Sequence, residues 1–175
     1  MLTEIEVESR EVRQAQDFEG LKGLIIPGGE STTLEKLMKR FGLDQALARA
    51  LEEGLAVWGT CAGMILLARE ISNGIPGQEG LGHLPIRVER NAFGRQLESC
   101  EVPLEVAPLK GEPFSAVFIR APKVTSLLDP QVEVWATHQE QIVAVRQGKI
   151  MATSFHPELT GDHRLHKLFT EVLID

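Results

Sequence analysis

Five consecutive residues, Gly59-Thr60-Cys61-Ala62-Gly63, combine a nucleophilic side chain with a turn that can present it. The segment lies between an apolar strand and an apolar helix, which is the form of a nucleophile elbow. In such a turn the nucleophile adopts a strained backbone conformation, and flanking glycines relieve the crowding around it. From the residues alone, Cys61 could equally be a buried small hydrophobic residue, as lone cysteines usually are.

A base and an orienting carboxylate for such a thiol are present in residues 154–158, Ser-Phe-His-Pro-Glu, at the end of a predicted strand. A cysteine nucleophile needs a base to take its proton and a third group to orient that base. Pro157 fixes the chain locally, so His156 and Glu158 can point into one space. We therefore predict that Cys61, His156 and Glu158 form a catalytic triad.

The turn at residues 27–31, Pro-Gly-Gly-Glu-Ser, lies where a strand meets a helix. Backbone N–H groups at such a junction can face an anion. The segment is not a phosphate-binding P-loop, because the Gly-Lys-Ser/Thr ending is missing. We expect the N–H groups of Gly29 and Ala62 to form an oxyanion hole, whereas the plain alternative is an ordinary strand-to-helix turn.

The other cysteine and the C-terminal histidines fit catalysis less well. Cys100 begins a predicted strand and is expected to be structural. His163 and His166 lie three residues apart in a predicted helix, but no acidic or cysteine partner shares their spacing. They are therefore expected to be surface or packing residues, and no metal site is predicted.

Composition limits the class of protein. The chain has 175 residues, 43% hydrophobic and 25% charged, which suits one globular domain over residues 1–175 with a single core. Its net charge of −7 and its scattered basic residues argue against nucleic acid as a partner. No apolar run approaches the length of a membrane span, and the first fifteen residues do not resemble a signal peptide. With only two cysteines, a disulfide scaffold is excluded and a cytoplasmic location is expected.

The elements that must position these groups alternate between strand and helix in the first half of the chain. Short apolar strands are predicted at 24–26 and 55–58, with an additional strand at 5–12. Helices are predicted from a capping box at Thr32 and Glu35, over 44–53, and over 62–71. Beyond Gly82 the pattern indicates strands at 86–89, 101–106, 116–119, 132–136, 141–146 and 150–155, with a hairpin turn at Gln147-Gly148 and a last helix over 162–173. This order predicts an α/β fold, a doubly wound three-layer sandwich whose mostly parallel central sheet carries antiparallel additions.

Five segments, taken in order, resemble one known family. They are the Gly-Gly-Glu-Ser turn, the Gly-Thr-Cys-Ala-Gly elbow, Val88–Gln96, Val117–Pro122 and Ser-Phe-His-Pro-Glu-Leu-Thr. Together they closely resemble the glutaminase subunits of pyridoxal 5′-phosphate synthase, the vitamin B6 branch of the class I glutamine amidotransferases. The turn, the elbow and the histidine segment are shared broadly by class I enzymes, whereas the two arginine-containing segments are specific to this branch. The resemblance extends from about Leu21 to the C-terminus.

The resemblance implies a class I glutamine amidotransferase-like fold that hydrolyses L-glutamine to glutamate and ammonia. It implies that Cys61 is the nucleophile, His156 the general base and acid, and Glu158 the residue that orients His156. The residues expected to line the glutamine site are Gly29, Glu30, Ser31, Arg90, Ile119 and Arg120. Arginine suits that role, because a planar guanidinium can bind the free carboxylate of glutamine through two hydrogen bonds. The ammonia is expected to pass to a separate synthase subunit that makes pyridoxal 5′-phosphate, and this chain itself is expected to need no cofactor.

The sequence departs from the family pattern at its beginning. Members usually open with an apolar strand, a Leu-Gln-Gly-like loop and a first helix, and about twenty such residues are absent here. Two other functions are also considered, the second of them because a missing N-terminus could prevent catalysis. The triad could serve a cysteine hydrolase of γ-glutamyl or peptide bonds, or the chain could be a catalytically inactive binding subunit.

Overall fold

The computed structural model describes residues 1–92 and 99–174. The elements in chain order are β1 (Gly23–Ile26), α1 (Ser31–Arg40), α2 (Leu43–Glu52), β2 (Ala56–Thr60), α3 (Ala62–Leu67), β3 (Ala68–Ile71), β4 (Leu84–Glu89), β5 (Ser99–Leu104), β6 (Phe114–Ile119), β7 (Lys123–Leu127), β8 (Glu133–His138), β9 (Gln141–Gln147), β10 (Ile150–Thr153) and α4 (Arg164–Leu168). Short 3₁₀ turns occupy Thr3–Ile5, Ala15–Phe18 and Pro157–Leu159, and a π-helical turn, Phe169–Leu173, extends α4. Within the described residues, no helix is both long and apolar enough to cross a membrane.

In the part of the chain that the structure describes, an eight-stranded mixed sheet organises the fold. Its strand order is β1-β2-β10-β9-β7-β4-β3, and β8 pairs with β9 beside this path. The strands β1, β2 and β10 are parallel neighbours, and so are β3 and β4, whereas β10 with β9, β9 with β7 and β7 with β4 are antiparallel. The strands β5 and β6 form a separate antiparallel hairpin. The predicted α/β class, with parallel strands first and antiparallel additions later, is confirmed.

Helices and the hairpin cover the two faces of this sheet. Residues of β2 alternate between two cores: Val57 packs with Leu47 of α2 and Met64 of α3, while Trp58 packs on the other face. The core around Trp58 includes Phe118 of the β5–β6 hairpin and Leu165 of α4. Because side chains point alternately to opposite faces of a strand, this one short apolar strand stabilises both layers.

The predicted strand over residues 5–12 is wrong. Thr3–Ile5 instead forms a 3₁₀ turn, and the backbone N–H groups of Ile5 and Val7 both donate to the carbonyl of Leu2. The apolar residues of this segment, Ile5, Val7 and Val12, alternate with charged and polar residues, and none of the eight residues is buried. Without a buried face to fix a pairing register, local hydrogen bonds satisfy the backbone.

The predicted capping box at the start of α1 is also wrong. The helix begins two residues earlier than the box predicts, and the N-cap is Glu30, whose carboxylate accepts hydrogen bonds from the backbone N–H groups of Thr32 and Thr33. Glu35 does not reach back to Thr32. It is buried and lies 2.8 Å from the ammonium of Lys39, one helical turn further on.

Two further differences concern helix and strand boundaries. The predicted helix over residues 62–71 ends at Leu67, and Ala68–Ile71 is a strand that pairs in parallel with β4. Residues 62–68 are apolar and buried, so periodicity cannot separate helix from strand in that run, and the charged Arg69 and Glu70 come only within the strand itself. The strand β7 was not predicted, whereas the hairpin turn at Gln147-Gly148 is confirmed by the antiparallel pairing of β9 with β10.

Candidate active site

The turn that holds Cys61 is strained and tightly packed. Cys61 follows β2 and precedes α3 with φ 49° and ψ −104°, a conformation that non-glycine residues rarely adopt. A Cβ atom added to Gly59 would lie 2.5 Å from the backbone of Gly63, and one added to Gly63 would lie 2.2 Å from the carbonyl oxygen of Ile26. Neither position has room for a side chain. The two glycines therefore allow the close approach that this turn requires.

The sheet brings the thiol and the imidazole to one edge. Cys61 directly follows β2, and His156 follows β10, the parallel neighbour of β2 in the sheet. The carboxyl ends of parallel strands meet at the same edge, so the two residues emerge side by side. The N–H of Cys61 donates to Thr153 at 2.8 Å, and the N–H of His156 donates to Val117 at 2.8 Å. These bonds fix both backbones.

His156 contacts the other two predicted triad members. Its side chain is only 13% exposed, and its Nδ1 lies 2.7 Å from Oε1 of Glu158. A hydrogen bond with Cys61, and secondly the one with Glu158, raise the pKa of His156 to about 10, against the opposing effect of burial. Burial acts to raise the pKa of Glu158, but the hydrogen bond from His156 and a backbone N–H leave that pKa below its usual value. The structure thus brings Cys61, His156 and Glu158 together.

The glycine turn after β1 lies against this triad. A Cβ atom on Gly28 would lie 2.4 Å from Cε1 of His156, so the imidazole packs directly on the glycine. Gly29 has φ +143°, a conformation that side-chain-bearing residues rarely adopt. On the other side of His156, Ala62 is the first residue of α3, where a backbone N–H has no acceptor within the helix. The two residues predicted to hold an oxyanion thus lie in the turns beside His156 and Cys61.

Glu30 is held as an anion at the start of α1. Its carboxylate accepts hydrogen bonds from the backbone N–H groups and the hydroxyls of Thr32 and Thr33. These bonds, that from the Thr32 hydroxyl foremost, lower the pKa of Glu30 to about 2, although burial opposes the shift. Nη2 of Arg90 lies 3.6 Å from Oε1 of Glu30. A carboxylate and a guanidinium are therefore adjacent.

Ser31 and Arg90 are joined by a residue that was not predicted. The side-chain amide of Gln78 donates to the hydroxyl of Ser31 at 2.9 Å and accepts from Nη1 of Arg90 at 2.8 Å. Ser31 is 3% exposed and the side chain of Arg90 is 16% exposed, so neither is an ordinary surface residue. Of the predicted segment Val88–Gln96, residues 93–96 lie outside the described residues.

Ile119 and Arg120 lie at the end of β6. The carbonyl oxygen of Ile119 is 3.9 Å from Sγ of Cys61, which places this residue next to the thiol. Arg120 is exposed and has φ +44°, an uncommon conformation for arginine. The described contacts thus form two groups, one with Cys61, His156, Glu158 and Ile119 and one with Glu30, Ser31 and Arg90, and the turn at 27–31 contributes to both. Gln78 is the contributor that sequence patterns did not identify.

The two C-terminal histidines have different surroundings. His166 is buried with its ring 4.9 Å from that of Trp58, and this burial lowers its pKa to about 4. Nε2 of His163 lies 4.0 Å from a carboxylate oxygen of Glu4. Cys100 lies in β5 and pairs with Phe118 in the hairpin. His166 and Cys100 therefore contribute to packing, as expected from their context.

Comparisons with known proteins show which proteins this chain resembles. The model of the SNO glutamine amidotransferase family matches residues 1–175. A Thermus thermophilus protein named pyridoxal 5'-phosphate synthase subunit PdxT is 56% identical over 172 residues, covering 98% of this chain and 88% of its own length. A Moorella thermoacetica protein of the same name is 52% identical over 167 residues, covering 95% and 87%.

Solved structures give the same picture of the fold. A crystal structure described as a glutamine amidotransferase superposes with a TM-score of 0.91 at 51% identity, covering 98% of this chain and 89% of that one. The glutaminase domain of a Trypanosoma brucei protein, solved with bound acivicin, superposes with a TM-score of 0.52 at 14% identity, covering 85% and 67%. The second likeness concerns the fold alone.

Proposed function

The chain belongs to the SNO glutamine amidotransferase family, and from that premise we propose that it hydrolyses L-glutamine to L-glutamate and ammonia with Cys61 as nucleophile. The observation that carries this proposal is the contact of His156 with both Cys61 and Glu158, with 2.7 Å between Nδ1 and Oε1. A thiol, an imidazole and a carboxylate in this order are what covalent acyl transfer needs.

The proposed reaction has two halves. The thiolate of Cys61 attacks the side-chain amide carbon of glutamine, and the resulting oxyanion accepts hydrogen bonds from the N–H groups of Gly29 and Ala62. The imidazolium of His156 gives its proton to the departing nitrogen, so ammonia leaves and a thioester remains. In the second half His156 takes a proton from water, which attacks the thioester and releases glutamate. Glu158 holds the imidazole in the orientation that both transfers require.

The charges of Arg90 and Glu30 suit the α-carboxylate and α-ammonium groups of glutamine. Arg90 and Glu30 present a guanidinium and a carboxylate 3.6 Å apart. Free glutamine carries an α-carboxylate and an α-ammonium at a similar separation, so we assign the first to Arg90 and the second to Glu30. Ser31, Ile119 and Arg120 complete the proposed binding residues, since they adjoin these groups or the thiol.

A synthase subunit is the proposed acceptor of the ammonia. The relatives at 56% and 52% identity are named as subunits of pyridoxal 5'-phosphate synthase, which supports such a hetero-oligomer for this chain. We place the complex in the cytoplasm, because the mechanism needs a reduced thiol and both cysteines of this chain are free.

The experiment that tests the substrate class compares two substrates. The chain, mixed with a synthase subunit of this family, is incubated with L-glutamine or with a γ-glutamyl peptide, and ammonia and free amine are measured. The proposal predicts ammonia from glutamine in excess over amine from the peptide. Faster cleavage of the peptide would instead identify a γ-glutamyl hydrolase.

A further inference from the structure

The side chain of Gln78 has a fixed orientation in the described structure. Its two polar atoms contact Ser31 and Arg90, at 2.9 and 2.8 Å. A guanidinium can only donate hydrogen bonds, so the amide oxygen must face Arg90 and the amide nitrogen must face Ser31. The contact with Arg90 therefore determines which way the amide points.

This orientation sets the hydrogen-bonding role of Ser31. Because the amide nitrogen of Gln78 donates, the hydroxyl oxygen of Ser31 accepts and its own proton remains for another acceptor. Arg90 gives one of its five N–H groups to Gln78, which leaves enough for a two-point contact with a carboxylate. The side-chain amide of Gln78 thus leaves the hydroxyl of Ser31 and N–H groups of Arg90 available to donate hydrogen bonds.

The loop that carries Gln78 is itself anchored at two points, one on each side of Gln78. Asn73 accepts from the backbone N–H of Arg90 at 2.7 Å and donates to its carbonyl at 2.9 Å, so one side chain holds both polar groups of that residue. The N–H of Glu79 donates to the buried carboxylate of Glu35 in α1 at 3.2 Å. Arg90 is therefore held through its backbone and its side chain by the same loop.

We propose that Gln78, by bridging Ser31 and Arg90, is a positioning residue that prepares both as hydrogen-bond donors to the α-carboxylate of the substrate. The proposal rests on the glutaminase function proposed above. It assigns to the loop between β3 and β4 a part in substrate selection, since ligands without that carboxylate would gain nothing from the bridge. Gln78 itself acts through Ser31 and Arg90 and is assigned no contact with the substrate.

Two substitutions disrupt the bridge in different ways. Gln78→Glu keeps an acceptor for Arg90 but adds a negative charge, and it forces Ser31 to donate to the new carboxylate instead of to substrate. Gln78→Met keeps the length of the side chain and removes both hydrogen bonds. Gln131→Glu makes the same change of charge at an exposed residue remote from this loop and serves as the matched control.

The test measures kcat and KM for glutamine in the presence of the synthase subunit, and inhibition by 4-aminobutanamide, which is glutamine without its α-carboxylate. We expect Gln78→Glu and Gln78→Met to raise KM by about tenfold, the scale of one charge-assisted hydrogen bond, with a smaller change in kcat. Inhibition by 4-aminobutanamide should be the same for wild type and both variants, and Gln131→Glu should match wild type throughout.

Three results would contradict, in turn, the role of Gln78, the assignment to the α-carboxylate and the proposed glutaminase function. An unchanged KM in Gln78→Glu, measured beside an active wild type, overturns the role of Gln78 alone. Equal weakening of glutamine and 4-aminobutanamide overturns the assignment to the carboxylate, because a merely structural role would affect both ligands. A wild-type protein that releases no ammonia from glutamine overturns the proposed function, and this inference with it.

Discussion

The imidazole of His156 rests directly on the α-carbon of Gly28. The contact is so close that a methyl group there would lie 2.4 Å from Cε1 of the ring. The turn after β1 therefore restricts the position of the His156 ring on one side. The hydrogen bond from His156 to Glu158 restricts it further. A ring confined in this way is held in position for proton transfer before substrate arrives.

Gly28→Ala is expected to lower kcat by about a hundredfold, because the added methyl group must displace the imidazole and misplacement of about 1 Å carries a cost of that order. Glutaminase kinetics with the synthase present measure the effect. Gly161→Ala is the matched control, since a Cβ atom there meets nothing within 4 Å. Identical activity of the two variants would show that the contact with Gly28 does not position His156.

The raised pKa of His156 predicts a pH dependence of stability. The pKa is about 10 in the folded chain, above the ordinary value near 6.5, because Cys61 and Glu158 favour the protonated ring. Protonated His156 thus stabilises the folded state fully below pH 6.5, and this contribution is lost as pH rises through 10. Denaturant unfolding of wild type and His156→Asn should give free energies whose difference shrinks from pH 6.5 to pH 10. A constant difference across this range would contradict the raised pKa.

The roles of His156 and Glu158 predict unequal losses of activity. His156→Asn removes the group that carries the proton and should leave almost no turnover. Glu158→Gln keeps a hydrogen-bonding partner 2.7 Å from Nδ1 but removes the charge, so partial activity should remain. Ammonia release by the two variants, each checked for folding by circular dichroism, makes the comparison. Equal losses would contradict the assignment of proton transfer to His156 and of its orientation to Glu158.

The glycine turn also predicts how a synthase partner would control the enzyme. Gly29 has φ +143°, and its peptide can rotate at little steric cost to aim or withdraw one oxyanion donor. One such donor is worth about two to three powers of ten in kcat, which is the acceleration expected when the synthase is added. Gly29→Ala should blunt this acceleration. If the isolated wild-type chain already turns over as fast as the complex, partner control of this turn is refuted.

The triad was predictable because its members carry local signals. Cys61 lies between glycines after an apolar strand, and His156 and Glu158 follow another strand, so parallel pairing alone brings them to one edge. Gln78 carried no such signal. It lies 47 residues from Ser31 in sequence, and only the packing of its loop on α1 brings the two together. Arg90 was identified by family resemblance, since an isolated arginine in sequence looks like a solvated surface charge.

The errors in the element prediction have similar causes. A capping box at Thr32 fits residue preferences, but the longer side chain of Glu30 reaches the N–H groups of Thr32 and Thr33 and starts the helix earlier. The segment at 68–71, Ala-Arg-Glu-Ile, follows an apolar helix with no glycine or proline to end it, and its pairing with β4 makes it a strand. In both segments the secondary structure depends on a contact outside the predicted pattern, with Glu30 in the first and with β4 in the second.

The central claim is that the thiol of Cys61 attacks glutamine. Ammonia and glutamate should be followed over time for wild type, Cys61→Ala and Cys100→Ala, each mixed with the synthase subunit. Cys100 is the matched control, because it is the other free cysteine of the chain and lies in the β5–β6 hairpin. We predict that Cys100→Ala releases ammonia like wild type and that Cys61→Ala, although folded, releases none above background. Wild-type ammonia release by Cys61→Ala would contradict the mechanism.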